Sequence, residues 1–131
     1  MGTLEQERAA FALGKVESIK AGKDKSKYKS QLLKLPARLH NNGLGQTVAF
    51  YLSAGKGKPE VVICDWIEEW LLQREIYERK PLIKAIIGED QEIPRNLVEP
   101  LYREASAEVR ALAVWLKRFA EAFIEGEGDS E

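Results

Sequence analysis

Residues 98–123, VEPLYREASAEVRALAVWLKRFAEAF, decide the fold class of this chain. Apolar residues recur there in alternating steps of four and three, at Val98, Tyr102, Ala105, Val109, Leu112, Leu116, Phe119 and Phe123. Side chains three or four positions apart share one face of a helix. The spacing therefore predicts a long helix, from Pro94 or Asn96 to about Glu125, with one apolar stripe.

The stripe of this last helix has two interpretations. It is either a coiled-coil seam that requires a partner helix or a face that packs inside the domain. Other amphipathic segments precede it in the chain, which favours packing inside the domain. Trp115 falls outside the stripe, and a tryptophan exposed beside polar residues is typical of a protein interface.

Helical spacing also runs through the chain before this segment, over residues 4–20, about 24–40, 44–54, from 59 onward, and 81–88. Thr3 is a candidate N-cap for the first helix. Pro36 predicts a kink or a split in the second helix, and residues 41–43, Asn-Asn-Gly, predict its end. We predict an all-α fold, a compact bundle of five or six helices, as a single domain over residues 1–125 with an acidic flexible tail over 126–131.

Two of these segments have faces that can be assigned. Leu44, Val48, Tyr51 and Leu52 are expected to face inward on the third helix. The fourth helix has the widest apolar face: Val62, Ile63, Trp66, Ile67, Trp70 and Leu71. Residues 61–64, Val-Val-Ile-Cys, are β-branched enough for a strand, but no second segment pairs with them convincingly, so a helix is favoured.

Length and composition exclude several classes of protein. The chain has 131 residues, of which 44% are hydrophobic and 31% charged, which suits one globular domain. Its apolar runs are far shorter than the roughly 20 residues that cross a bilayer, and residues 1–6 lack the apolar core of a signal peptide. Cys64 is the only cysteine, so no intrachain disulfide can form. We expect a reduced, cytoplasmic location and no membrane partner.

The residues that catalysis needs are scarce. His40 is the only histidine, and Cys64 lies among large apolar residues, where cysteines usually pack without reacting. Gly43-Leu44-Gly45 matches at most half of a phosphate-binding loop, with no strand before it. We therefore expect no enzyme activity, no cofactor and no metal site.

Charge is unevenly distributed along the chain. The net charge is −1, which taken alone argues against a nucleic-acid partner. Residues 15–58, however, hold ten basic and two acidic residues, a net charge of +8. Residues 59–131 hold nine basic and seventeen acidic residues, a net charge of −8. A chain divided in this way can present one basic and one acidic surface.

The basic residues of the second helix form a candidate site. On a helical wheel, Lys23, Lys27, Lys34 and Arg38 fall within a sector of roughly 60°, away from the apolar stripe. Such a row can follow a nucleic-acid backbone without reading bases. The loop lysines Lys56 and Lys58 and the amides of Asn41 and Asn42 could extend it. An ordinary solvated helix face accounts for the row equally well.

Residues 35–50, LPARLHNNGLGQTVAF, resemble the LPxLIxxNGLxxTLAF stretch of the small subunit of Cmr complexes. These complexes are the type III-B CRISPR RNA-guided effectors. Residues 102–105 and 115–122 are similar to the closing helix of the same family. The similarity runs from about Tyr28 to Phe123, and its first stretch is the more specific one.

The resemblance implies a small all-helical subunit without catalytic activity. In that family, copies stack along the interior of the ribonucleoprotein filament, beside the backbone subunits and near the large polymerase-like subunit, and line the channel for guide and target RNA. Arg38 lies within the matched motif and Lys34 directly before it, so the resemblance implies that these two residues face RNA. Lys117 and Arg118 match the closing helix, and they face either RNA or an acidic neighbour.

We therefore predict a subunit that holds the backbone of CRISPR guide or target RNA and contacts other Cmr subunits and copies of itself. The predicted RNA-binding residues are Lys23, Lys27, Lys34, Arg38, Lys56, Lys117 and Arg118. The alternative is a helical adaptor that binds only acidic protein partners. A neutral total divided into +8 and −8 suits head-to-tail stacking as well as RNA binding.

Overall fold

The computed structural model describes residues 2–76, 84 and 95–126. It contains the helices α1 (Leu4–Ile19), α2 (Lys25–Leu52), α3 (Pro59–Gln73) and α4 (Arg95–Phe123). Strands are absent from the described residues, which confirms the all-α class and the helix over residues 61–64. Four helices have bounds within the described residues, rather than five or six, because the predicted second and third helices form one helix with a break at Gly43. Of the predicted short helix over 81–88, the structure describes only Lys84, which is helical.

Helix α1 begins where the sequence predicts. The hydroxyl of Thr3 accepts a hydrogen bond from the backbone N–H of Gln6 (3.2 Å), and the side-chain oxygen of Gln6 accepts one from the N–H of Thr3 (2.8 Å). This reciprocal capping box satisfies two donors that a helix start leaves unpaired. The acidic residues Glu5 and Glu7 lie in the first turn, at the positive end of the helix dipole.

Helix α2 is interrupted at Gly43 and not at Pro36. The one residue with non-helical torsions in α2 is Gly43, at φ 82° and ψ 167°. The split predicted at Pro36 is therefore wrong. A proline removes only one hydrogen bond, and the helix around Pro36 is held by the fully buried side chains of Leu32 and Leu35 and the nearly buried Leu39. The helix end predicted at residues 41–43 corresponds to this local break at Gly43.

The helix resumes after Gly43 with a cap that comes from a distant residue. The residues that follow a break have backbone N–H groups without intrahelical partners, and glycine has no side chain to accept from them. The hydroxyl of Tyr102 accepts the hydrogen bond from the N–H of Gly45 (2.9 Å). Tyr102 thus performs the function of an N-cap side chain, from a position 57 residues away.

The chain divides into two compact units, a terminal unit (Met1–His40 with Arg110–Glu131) and a central unit (Asn41–Val109). In the terminal unit, α1, α2 and α4 contribute the buried apolar side chains Ala12, Val16, Leu32, Leu35, Leu39, Leu112, Ala113, Leu116, Ala120 and Ile124. A single domain over residues 1–125 stays a prediction. The predicted acidic tail lies outside the described residues except for Gly126.

In the central unit, the buried apolar side chains are Leu44, Val48, Tyr51, Ile63, Cys64, Trp66, Ile67, Trp70, Leu71, Ala105 and Val109. The predicted face of α3 is confirmed, apart from Val62, which is half-buried. Leu52 is 38% exposed, so its predicted inward position is wrong. It follows the buried Tyr51 directly, and adjacent residues of a helix do not share a face.

The apolar stripe of α4 departs from the predicted spacing near its end. Ala105, Val109, Leu112 and Leu116 are fully buried, but Phe119 is half-buried and Phe123 is 47% exposed. Ala120 and Ile124 are buried instead. A straight helix has 3.6 residues per turn, so a strict repeat of 3.5 drifts off the buried face over several turns. The buried positions therefore continue in steps of four.

Candidate nucleic-acid interface

Three of the four predicted basic residues, Lys27, Lys34 and Arg38, lie along one face of α2, but they differ in exposure. Residues seven and four positions apart on a helix differ in direction by about 20° and 40°, so Lys27, Lys34 and Arg38 share a face. Lys27 is exposed, whereas Lys34 and Arg38 are half-buried. Lys23 is exposed and lies in the turn before α2, so helical geometry does not fix its direction.

Arg38 is engaged inside the terminal unit. Its guanidinium donates a hydrogen bond to the side-chain oxygen of Gln31, which is only 3% exposed. The two residues lie seven positions apart on the same helix. Arg38 therefore stabilises a buried amide and presents only part of its charge to a ligand, a division of roles that composition cannot predict.

Lys29 has a structural contact that the sequence did not indicate. Its ammonium donates to the backbone carbonyl of Ile124 (2.8 Å) and to that of Gly126. The last carbonyls of a helix have no partner within the helix, and α4 has no basic residue in its last turn. Lys29 supplies the missing cation at the negative end of α4. The contact joins residues 95 positions apart, so no local pattern reveals it.

Of the two predicted residues on α4, Arg118 lines a surface cavity of about 410 Å³, together with Glu5, Ala111, Val114 and Trp115. Arg118 is exposed and Lys117 half-buried. Trp115 is half-buried rather than exposed, and its indole N–H donates to one carboxylate oxygen of Glu5 (3.3 Å). Arg8 pairs with the other oxygen of Glu5 (2.8 Å). The indole therefore has a defined position within the terminal unit.

Lys56 belongs to the central unit, whereas the other predicted site residues belong to the terminal unit. It lies in the connection between α2 and α3, and both Lys56 and Lys58 are exposed. The end of α2 just before this connection carries Phe50, which is 58% exposed and is the most exposed large apolar side chain in the described residues. Phe50 is not among the predicted site residues, although its position off the stripe at Leu44, Val48 and Tyr51 was a usable signal.

Two buried residues of the central unit, Trp70 and Cys64, have polar groups with hydrogen-bond partners inside the unit. The indole N–H of Trp70 donates to the carboxylate of Glu108 (2.9 Å), and both residues are buried. Burial, together with the nearby carboxylates of Asp65 and Glu68, raises the pKa of the Cys64 thiol from 9.0 to about 12. Since the thiolate is the nucleophilic form, this thiol is unreactive near neutral pH. His40 is exposed on α2.

Two classes of site are absent from the part of the chain that the structure describes. It contains no group of three or more His, Cys, Asp or Glu residues arranged to hold a metal ion. Its helices also include none that is long and apolar enough to cross a membrane.

Comparison with known proteins connects the sequence and the fold to a family. The model of the family described as "CRISPR-associated protein (Cas_Cmr5)" matches residues 4–123. The chain belongs to the Cmr5 family. This family is the one that residues 35–50 resemble, so the resemblance is confirmed over nearly the whole chain.

Relatives within the Cmr5 family agree in sequence and in fold. The chain is 32% identical over 125 residues to the CRISPR system Cmr subunit Cmr5 of Thermus thermophilus, a match that covers 95% of this chain and 99% of the relative. It also matches the X-ray crystal structure of a CRISPR-associated Cmr5 family protein from Thermus thermophilus, with a TM-score of 0.73 and 30% identity. That match covers 95% of this chain and 100% of the other.

Proposed function

We propose that this chain is the non-catalytic small subunit of a type III-B CRISPR (Cmr) ribonucleoprotein effector and that its basic residues hold the backbone of guide or target RNA. Membership of the Cmr5 family supports the place in the complex, since the relative from Thermus thermophilus is named as a Cmr subunit. The basic residues act by charge alone. Base pairing between the two RNA strands carries the sequence specificity, so the subunit needs no base-reading side chains.

The main support for RNA binding is a stretch of sequence that contains no acidic residue. Between Asp24 and Glu60 there is no acidic residue, while Lys and Arg occur seven times. Three of these lysines, Lys27, Lys56 and Lys58, are exposed. Lysines without carboxylates on the same segment produce a positive potential that attracts phosphates.

Stacking of copies along the filament is supported by the charges of the two units. The central unit holds eight basic and twelve acidic residues, a net charge of −4, and the terminal unit has a net charge of +3. A negative unit of one copy and a positive unit of the next attract each other. Repeated head-to-tail contacts of this kind generate an open filament.

The absence of catalysis in this proposal is supported by the state of the candidate nucleophile. Cys64 is buried, and its raised pKa keeps it protonated. A buried thiol without access to a substrate serves packing. RNA cleavage is then a task of other subunits.

The test uses the complex purified with its native partners. We expect the double variant Lys23→Gln/Lys27→Gln to retain less RNA of discrete length than the wild type. Its salt dependence of RNA binding should be shallower by about 0.7 in logarithmic slope for each lost phosphate contact. The matched control is Arg74→Gln/Arg103→Gln, which removes two exposed positive charges from acid-rich segments.

Lys34 and Arg38 need a separate variant because they are half-buried. Changing Arg38 also removes the partner of the buried Gln31, so a loss of RNA there is informative only at an unchanged melting temperature. Equal RNA retention by the Lys23/Lys27 variant, its control and the wild type would contradict the backbone-binding role.

The second candidate function is the adaptor that binds only acidic protein partners. The engagement of Arg38 inside the chain and the cavity beside Arg118 favour it, because both reduce the charge available to RNA and offer a surface to protein. A complex that assembles fully with no RNA of discrete length would support the adaptor.

A further inference from the structure

The end of α2 carries an exposed aromatic ring that packing holds in place. The ring of Phe50 is 58% exposed and lies edge-on against Tyr51, with a centroid separation of 6.1 Å and an interplanar angle of 61°. Tyr51 is fully buried, so it anchors the neighbouring ring to the core of the central unit. A large apolar group that remains accessible in a folded chain is typical of a binding surface.

The connection that follows Phe50 is folded by successive turns. The N–H groups of Ser53, Ala54 and Gly55 donate to the carbonyls of Ala49, Tyr51 and Leu52, at 3.1, 3.2 and 3.3 Å. The N–H of Lys58 then donates to the carbonyl of Gly55 (3.2 Å). Gly55 and Gly57 have φ values of 103° and 84°, which side-chain-bearing residues rarely adopt. These turns keep Lys56 and Lys58 close to the end of α2.

The chemistry of this tip, residues 50–58, is that of a single-strand platform. It contains one exposed aromatic ring, two exposed lysines and no acidic residue. Proteins that bind single strands without sequence preference combine cations along the backbone with aromatic rings on which bases stack. Apart from Leu52, residues 52–58 have no large apolar side chain, so the tip offers little area for an apolar protein contact.

We propose that Phe50 stacks on an unpaired base of single-stranded RNA while Lys56 and Lys58 contact the adjacent phosphates. This inference rests on the proposed function, since it assigns a second and different contact to the same RNA. Every base has a π face, so a stacking ring accepts any sequence. A subunit that must accommodate every guide requires this tolerance.

The test measures binding of the full chain to two fluorescent oligonucleotides of equal length. One is a single-stranded RNA with all its bases, and the other is abasic, with the same number of phosphates. We expect the wild type to bind the base-bearing strand more tightly. Phe50→Ala should weaken binding of that strand about tenfold or more, the usual effect of losing one base–aromatic stack. Its affinity for the abasic strand should not change.

Three further variants separate stacking from general effects. Phe50→Trp should retain the preference for bases, and Phe50→Leu should lose it although it remains apolar. Leu52→Ala removes an exposed apolar side chain at the same tip without removing a ring, and it should bind both strands like the wild type. Lys56→Gln/Lys58→Gln should weaken binding of both strands equally and reduce the salt dependence of that binding.

The outcomes distinguish this inference from the function on which it rests. If Phe50→Ala leaves the preference for bases unchanged while Lys23→Gln/Lys27→Gln weakens RNA binding, the stacking role is wrong and the RNA-binding function stands. If the wild type binds neither strand, the stacking role is wrong, and RNA retention by the purified complex still decides the RNA-binding function. If Phe50→Ala blocks incorporation into the complex at unchanged RNA affinity, Phe50 contacts protein, which also overturns the inference.

Discussion

The two stretches of α2 on either side of Gly43 use similar residues in opposite ways. Before the break, two basic side chains make internal contacts, because Lys29 binds the carbonyls at the end of α4 and Arg38 binds the buried Gln31, while Lys27 is exposed. After the break, Phe50 and Leu52 are exposed, and Lys56 and Lys58 follow in an open connection. Residue type alone therefore does not tell which lysine meets a ligand or which apolar side chain is buried.

This difference follows from the surroundings of each stretch. In the stretch before Gly43, the buried residues include the polar Ser30 and Gln31, and Gln31 finds its partner in Arg38 within the terminal unit. The stretch after Gly43 is short and ends at a turn, so part of its surface remains open. Four predictions test this comparison, from the largest expected effect to the smallest.

The break itself is the most sensitive feature. Gly43 adopts a combination of φ and ψ that is essentially restricted to glycine. Gly43→Ala should lower the free energy of unfolding by about 1–3 kcal/mol through backbone strain. An added Cβ would meet the Tyr102 hydroxyl at an ordinary 3.5 Å, so the effect is torsional and not a clash. Urea unfolding provides the measurement.

The control for Gly43 is the glycine in the middle of α1. Gly14 has open space around the position of a Cβ. Gly14→Ala should therefore stabilise the protein by about 0.5–1 kcal/mol, because alanine favours the helix. Destabilisation by both substitutions would show that the strain assigned to Gly43 is not specific to the break.

The contrast between Lys29 and Lys27 tests which basic residue serves structure. Lys29→Met removes two hydrogen bonds to the end of α4 and should lower the free energy of unfolding by about 1–2 kcal/mol. Lys27→Met changes an exposed residue and should stay within about 0.5 kcal/mol of the wild type. For RNA binding we expect the opposite order, so Lys27→Met should weaken binding more than Lys29→Met does. Equal stability of the two variants would remove the distinction.

The remote cap after the break has a smaller effect. Tyr102→Phe keeps the ring and removes the hydroxyl that accepts the N–H of Gly45. The expected loss is about 1 kcal/mol in the free energy of unfolding. Amide exchange of Gly45 should accelerate at the same time. Unchanged exchange would mean that another group accepts this N–H.

The smallest effect is the pH dependence of stability that Cys64 causes. The thiol of Cys64 donates a hydrogen bond to the carbonyl of Val48 (3.8 Å), which lies in the stretch after the break. Because its pKa rises from 9.0 to about 12 on folding, the folded state keeps a proton that the unfolded chain releases. Its contribution to stability is therefore fully present below pH 9 and is lost as pH rises toward 12. Linkage predicts a loss of a few tenths of a kcal/mol at pH 9.

Cys64→Ala provides the comparison. Its stability should fall less than that of the wild type between pH 7 and pH 9, measured as the difference between two urea series. Parallel pH profiles of the two proteins would show that Cys64 does not titrate differently in the folded and unfolded states.

The fold could be predicted where local rules determine it. Thr3 caps α1 because its partner Gln6 lies three residues away, and the face of α3 follows from a period of 3.6. The split at Pro36 and the inward Phe123 were wrong because packing and helical drift acted over longer distances. Gly43 was recognised as a stop and residues 44–54 as the next helical segment, but no pattern indicated that Tyr102 would cap that segment.

The candidate site was less accessible to sequence reasoning. The line of Lys27, Lys34 and Arg38 on one face follows from helical geometry. Their exposure does not, because it depends on what the rest of the terminal unit places beside them. Lys29 adjoins the row in sequence and differs from Lys27 only through a carbonyl 95 residues away. Phe50 lies within the family motif, and its position off the stripe at Leu44, Val48 and Tyr51 is the one sequence signal of its exposure.

The distribution of tryptophans has a spectroscopic consequence. Two of the three, Trp66 and Trp70, are buried in the central unit, whereas Trp115 belongs to the terminal unit. Intrinsic fluorescence of the native chain is therefore weighted toward the central unit. A chain with Phe at positions 66 and 70 would leave the indole beside Glu5 as an optical probe of the terminal unit alone. Its emission would respond to any occupant of the neighbouring cavity.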